Sequence, residues 1–114
     1  LLAMHDSVTS LKQGVNCSGA KNILGIFHTP SAVFIDLRFL ESLPEAHIRA
    51  GLAELIKNGL VLGGDYLARV IDCVPRARES GDPSLYAELI EMGISAKCKP
   101  MRDDAFERRK AMIM

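Results

Sequence analysis

The sequence has few aromatic side chains, no excess of charge of either sign and no long apolar run. Aromatic residues make up 5% of the 114 residues and tryptophan is absent, so a surface that stacks nucleic-acid bases is not expected. The formal net charge is zero, which gives no general attraction for nucleic acid or an anionic membrane. No apolar run approaches the roughly 18 to 20 residues of a membrane span. We therefore predict a protein that binds neither nucleic acid nor membranes.

Cysteine is also scarce. Cys17, Cys73 and Cys98 are odd in number and widely spaced, and no C-x-x-C is present, which argues against a thiolate zinc site. The three histidines show no H-x-x-x-H spacing and are interpreted as non-ligands. The N-terminus lacks the basic start and the small-residue cleavage site of a secretory signal. These features predict free thiols in a reducing cytoplasm.

Both ends of the sequence look as if a longer chain had been cut there. It opens on "LLAMHDS" without an initiator methionine, and it closes on "FERRKAMIM" within a helical pattern, without a cap or a breaker. We expect an internal piece of a larger protein.

The first forty residues predict mixed strand and loop. Apolar spacing favours a short helix over 1–11, and glycine, asparagine and serine predict loop over 12–25, with a short extended part near Val15. The β-branched and aromatic runs 23–28 and 32–37 predict two adjacent strands separated by "TPS".

The remainder predicts helices. One begins near Pro44 and ends near Leu62, before the Gly63-Gly64 pair. A second helix is expected over 65–74. A loop up to residue 84 follows, and a third helix then extends as far as Lys99. A fourth is expected within 103–114. The predicted fold class is therefore α/β plus all-α, with residues 1–43 closing an α/β domain and residues 44–114 opening a helical one.

Three polar residues interrupt the apolar segment "GLAELIKNGLVLGG". Glu54, Lys57 and Asn58 are three and four residues apart and share one face of a helix. Burying charged groups costs several kcal/mol unless they are paired, hydrogen-bonded or bound to a ligand. The segment predicts either a Glu54–Lys57 ion pair facing a solvent groove, or a cavity wall that binds a cation and an anionic substrate. Lys12, Lys21 and Asn22 stand in glycine-flanked loops that match neither a P-loop nor GxGxxG.

The order of these segments resembles the middle of the sugar-phosphate cyclases, the family of 3-dehydroquinate synthase. The resemblance is carried by "LLAMHDSVTSLKQGVN", "SGAKNILGIFHTPSAVFIDLRFLESLP" and "RAGLAELIKNGL", and it returns at "ISAKCK" and "ERRKAMIM". Family members join an N-terminal NAD-binding α/β domain to a C-terminal helical domain that binds a divalent metal. The resemblance thus implies the same division near residues 37–44.

The resemblance also implies a set of site residues. Glu54 would be a metal ligand, for cobalt or zinc. Catalysis is assigned to Lys12, Lys57 and Lys97, substrate binding to Lys57, Asn58 and Lys97, and NAD binding to Asp6, Ser10, Leu11, Lys12, Lys21 and Asn22. A homodimer of the complete protein is a further family expectation.

Two differences from 3-dehydroquinate synthase favour another substrate. The chain reads "SLKQ" at 10–13 in place of "GGKT", and Asn58 stands where a tyrosine is usual. These forms resemble members that convert glucose 6-phosphate into the carbocycle of aminoglycoside antibiotics. The alternatives are 3-dehydroquinate synthase itself, an amino- or valiolone-type cyclase and, from another class, a non-enzymatic helical binding module.

The implied reaction is redox-neutral overall. NAD would take hydride from C4 of the sugar, which acidifies the C5 proton and lets phosphate leave from C6; hydride then returns, and an aldol step closes the ring. The metal would polarise the C4 oxygen, and the lysines would hold phosphate and hydroxyl groups in place.

Overall fold

The computed structural model describes residues 2–5 and 7–102. It is a small α/β arrangement of one hairpin, two 3₁₀ turns and three helices. In chain order these are a 3₁₀ turn Leu2–His5, β1 Lys12–Cys17, β2 Ala20–Phe27, a 3₁₀ turn Leu37–Leu40, α1 Glu45–Leu62, α2 Gly64–Ser80 and α3 Pro83–Met101. The helix expected within 103–114 lies outside the described residues.

The segment predicted as loop over 12–25 is instead a β-hairpin. β1 and β2 pair antiparallel, with Val15 opposite Leu24 and Cys17 opposite Ala20. Ser18 and Gly19 form the two-residue turn with φ of 50° and 77°, and such turns match the twist of the strands. The loop prediction was therefore wrong because the turn residues between the strands were not recognised.

The predicted pairing of strands 23–28 and 32–37 was also wrong. Residues 32–36 form no strand, and the first of the two runs pairs with β1 instead. Asp36 ends the extended stretch, because its Oδ1 accepts a hydrogen bond from the main-chain N–H of Arg38 at 3.0 Å. That cap begins the 3₁₀ turn Leu37–Leu40.

The predicted bounds of α1 are confirmed. Pro44 precedes the helix and Glu45 stands in its first turn, where a carboxylate interacts favourably with the helix dipole. Gly63 ends the helix with φ of 64°, and its N–H donates to the carbonyl oxygen of Gly59 at 2.8 Å.

Two predicted helix ends were too early. α2 continues through Pro75 to Ser80, and α3 includes Pro100. Proline removes one main-chain donor, but Ala77, in the extension of α2, is fully buried in the core. Packing therefore outweighs the local helix-breaking signal. Asp82 caps α3, since its Oδ1 accepts from the Ser84 N–H at 2.8 Å.

The apolar core lies among the three helices and the first 3₁₀ turn. Leu2 is fully buried in it although it precedes the hairpin. Both strands, in contrast, are exposed along nearly their whole length. The buried cluster consists of Leu2, Leu52, Leu55, Cys73, Ala77, Tyr86, Leu89 and Ile90.

No helix in residues 2–5 and 7–102 is long and apolar enough to cross a membrane.

Candidate functional site

The polar face of α1 consists of an ion pair and a buried amide. The ammonium of Lys57 contacts the carboxylate of Glu54, one helical turn away. Their side chains are 41% and 29% exposed, respectively, so solvent screens the pair in part. The ion pair, one of the two alternatives that the spacing left open, is therefore present. A half-exposed carboxylate beside an ammonium is also a surface that a ligand can reach.

Asn58 lies next to this pair but is completely buried. Its exposed fraction is 0%, and neither Nδ2 nor Oδ1 has a hydrogen-bond partner among the residues that the structure describes. An unpaired buried amide costs roughly 1–3 kcal/mol. Folded proteins pair nearly all such groups, so this amide is suited to a partner that the described residues do not provide.

The close contact between α1 and α2 fixes the polar face. Gly59 follows Asn58 directly, and a Cβ atom added there would lie 3.1 Å from Cδ1 of Leu67 on α2. The absence of a side chain at Gly59 lets the two helices approach. The guanidinium of Arg78 contacts the carboxylate of Glu45 and joins the end of α2 to the start of α1.

Lys97 is a buried cation on α3. Its side chain is only 4% exposed, although long basic side chains usually keep their charged end in water. Gly93, one helical turn earlier, is also buried and packs against the ring of His5. Neither Gly93 nor His5 was predicted as a site residue, because an isolated histidine and a helical glycine carry no spacing signal.

The hairpin brings together two of the residues assigned to NAD. Lys12 and Asn22 both line a groove across the strands, and Lys21 precedes Asn22 without lining it. Asn22 has φ of 58°, and its N–H donates to Oδ1 of Asn16 at 3.0 Å. Gly25 keeps the strands close, because a Cβ atom there would lie 2.1 Å from the carbonyl oxygen of Gln13.

The loop before the hairpin is ordered by Ser10. This side chain is buried, and its Oγ accepts from the N–H of Lys12 at 3.1 Å. The carbonyl oxygen of Ser10 accepts from Nε2 of Gln13 at 2.7 Å. Leu11 is half-buried between them. Asp6, which the resemblance also assigns to NAD, lies outside the described residues.

The donor set for a metal is incomplete in this part of the chain. Residues 2–5 and 7–102 contain no cluster of three or more histidine, cysteine, aspartate or glutamate side chains that could hold an ion. Glu54 offers one half-exposed carboxylate, a ligand type that divalent cations accept. By itself it would fit a metal only as one member of a larger set of ligands.

Two perturbed titratable groups of α2, the Cys73 thiol and the Tyr66 hydroxyl, are explained by packing. Burial is the main cause that raises the pKa of the Cys73 thiol and that of the Tyr66 hydroxyl. A raised pKa disfavours the thiolate, which is the nucleophilic form, so Cys73 is not a candidate nucleophile. The prediction of free thiols is confirmed for Cys17, Cys73 and Cys98.

Comparison with known proteins shows which proteins the chain is similar to. A family model described as "3-dehydroquinate synthase N-terminal" matches residues 1–50, and the relatives below match along nearly the entire chain. No solved structure matches the chain significantly. Over these residues the chain is similar to proteins of the 3-dehydroquinate synthase family, the sugar-phosphate cyclases, as its residues indicated.

Relatives with two different names are similar to the chain. It is 40% identical, over its whole length, to 2-deoxy-scyllo-inosose synthase of Streptomyces ribosidificus and 37% identical, over 98% of its length, to that of Niallia circulans. It is 38% identical, over 94% of its length, to 3-dehydroquinate synthase of Rhodococcus erythropolis. It covers 29%, 30% and 29% of these proteins, respectively, and so spans less than a third of the length of the curated relatives that it matches.

Proposed function

We propose that the complete protein is a 2-deoxy-scyllo-inosose synthase. It would convert D-glucose 6-phosphate to 2-deoxy-scyllo-inosose with loss of phosphate, a step in the biosynthesis of 2-deoxystreptamine aminoglycosides. The relatives of that name support the proposal over the whole chain. The single observation that carries the site is the Glu54–Lys57 pair beside the buried, unpaired amide of Asn58.

The proposed site needs two bound groups. NAD would supply reversible removal of hydride from the sugar, and a divalent cobalt or zinc ion would supply a Lewis acid. Glu54 would be one ligand of the ion. Ser10, Leu11, Lys12, Lys21 and Asn22 would hold NAD, together with Asp6. The hairpin groove supports this assignment, because it already brings Lys12 and Asn22 to one surface.

The lysines would act as positioned cations. Lys57 stands beside the proposed metal ligand, and Lys97 is held in a buried place, where water screens its charge less than at the surface. With Lys12 they would bind the phosphate and hydroxyl groups and stabilise developing oxyanions. The Asn58 amide would replace its missing partners with a sugar hydroxyl, which can both donate and accept hydrogen bonds.

The substrate test is a direct comparison of two sugar phosphates. The complete protein, with NAD and cobalt, should release phosphate from glucose 6-phosphate and form a carbocyclic ketone. Turnover of the seven-carbon phosphate substrate of 3-dehydroquinate synthase, without turnover of glucose 6-phosphate, would contradict the proposal. That alternative is kept because relatives with that name match 94% of the chain.

We also propose that the complete enzyme is a cytoplasmic homodimer. Free cysteines support the cytoplasmic location. The family resemblance supports the homodimer. Size-exclusion chromatography with light scattering tests the oligomeric state, and a monomer at micromolar concentration would contradict it.

A further inference from the structure

His5 fixes the start of the chain in the helical core. Its ring is 2% exposed, and Nδ1 lies 2.5 Å from the carbonyl oxygen of Leu2. Because a carbonyl oxygen only accepts, Nδ1 is the donor. Nε2 is buried and has no hydrogen-bond partner within the described part of the chain. The ring is thus held in place by one local hydrogen bond and by packing.

The packing partner is Gly93 on α3. A Cβ atom added to Gly93 would lie 2.2 Å from Cδ2 of His5 and 2.8 Å from both Cγ and Nε2. Glycine is less favourable than alanine inside a helix. Here the histidine ring occupies the space that an alanine methyl group would need, which gives a reason for glycine at this position.

This contact joins two parts of the proposed site. Gly93 and Lys97 are four residues apart on α3 and therefore share one face of the helix. His5 stands just before the loop that contains Ser10 and leads to Lys12. The ring thus packs on the helix face that carries Lys97, and its residue precedes in sequence the loop assigned to NAD.

We propose that His5 is a positioning residue, which sets the place of the NAD-binding loop relative to Lys97 by packing against Gly93. The inference rests on the proposed function for the roles of the loop and the lysine. The contact itself does not depend on that function. Two experiments on the complete enzyme test the contact and its proposed role separately.

The first experiment is a double-mutant cycle on thermal unfolding. Gly93→Ala should lower the unfolding midpoint in the wild-type background, because the new methyl group collides with the ring. In the His5→Ala background, the same change should raise the midpoint, because the space is free and alanine favours the helix. Gly59→Ala is the matched control, since its neighbour is Leu67, and its effect should be equal in both backgrounds. A shift from Gly93→Ala that is the same in both backgrounds would overturn the contact.

The second experiment measures the isotope effect on turnover, with the sugar phosphate that the wild-type enzyme converts, deuterated at the oxidised carbon. His5→Ala should lower kcat by about tenfold to a hundredfold, the range expected when reacting groups are misplaced by about 1 Å. The deuterium isotope effect on kcat should rise, because hydride transfer becomes slower than the other steps. A fall in kcat without a rise in the isotope effect, as fewer folded molecules would give, would overturn the positioning role.

If the wild-type enzyme converts a sugar phosphate other than glucose 6-phosphate, the substrate assignment fails and the positioning role is still tested. If it converts none, the proposed function and the positioning role both fail. The unfolding cycle would then decide the contact alone.

Discussion

At the scale of single residues, stability and proposed function conflict at Asn58. The amide is fully buried within an apolar helix, and its polar atoms have no partner among the described residues. Leu55, three residues earlier, is equally buried and belongs to the apolar cluster. A chain selected only for stability would place an apolar side chain at both positions. We therefore propose that Asn58 is kept for a ligand.

Asn58→Leu should stabilise the free protein and weaken substrate binding. Leucine has a similar size and removes an unpaired amide, which should raise the free energy of unfolding by about 1–3 kcal/mol. KM for the sugar phosphate should increase in the same variant. Urea unfolding and steady-state kinetics check both effects.

The control for this change is Leu55→Ala, which should lower the free energy of unfolding by about 2–5 kcal/mol. If Asn58→Leu were destabilising by a similar amount, the amide would have partners in solution, and its assignment to substrate would fail.

At the scale of secondary-structure elements, local signals predicted some ends and missed others. Pro44 and Gly63 gave the bounds of α1, because a proline just before a helix and a glycine just after it act through main-chain geometry alone. The end of α2 was missed because the helix continues past Pro75, where the burial of Ala77 in the core outweighs the cost of the proline. The hairpin was missed because both of its faces are exposed, and no alternation of apolar and polar residues marks such strands.

In the candidate site, too, local signals predicted some features and missed others. Helical spacing predicted the Glu54–Lys57 contact, since residues three apart meet on any helix. The depth of burial of Asn58 and Lys97 depends on the neighbouring helices and could not be predicted from spacing. His5 was missed as well, because its packing partner Gly93 lies far from it in the sequence, on α3.

The cap of α3 gives a prediction with a defined pH dependence. Hydrogen bonds from the main-chain N–H of Ser84, and then from its hydroxyl, lower the pKa of the Asp82 carboxyl. Since the folded-state pKa is depressed, the stabilisation is complete above the unfolded-state pKa of about 3.9. It is lost as the pH falls through the folded-state pKa.

Asp82→Ala should therefore lower the thermal midpoint at pH 7 and have little effect near the acid limit of folding. Asp82→Asn keeps an acceptor that does not ionise, so it should retain most of the capping without this pH dependence. The check is the unfolding midpoint of the three proteins as a function of pH. An equal loss in Asp82→Ala at all pH values would mean that the carboxylate charge has no part in the cap.

At the scale of the whole molecule, the chain has a compact helical part and an uncovered hairpin. Apolar side chains are exposed on both strands, among them Val15, Ile26 and Phe27. A two-stranded hairpin without a packed face is only marginally stable in water. The chain covers less than a third of its relatives, and we expect other parts of the complete protein to cover these side chains.

Hydrogen exchange should detect this difference between the two parts. In the isolated 114-residue chain, amides of β1 and β2 should exchange rapidly, whereas those of α1 and α3 should be protected. In the complete protein, the hairpin amides should also become protected. Mass spectrometry of the two proteins gives the comparison. Equal protection of the hairpin in both would show that it needs no further covering.

The central claim is that the polar face of α1 binds a divalent cation next to a sugar phosphate. Metal analysis of the purified complete protein tests it most directly, with Glu54→Gln compared with Glu88→Gln. Glu88 is a matched control, because it is also a half-exposed helical carboxylate in an ion pair, with Arg69. We predict a stoichiometric divalent ion in the wild-type and Glu88→Gln proteins, and its loss, with NAD binding retained, in Glu54→Gln. A full complement of metal in Glu54→Gln would contradict the account.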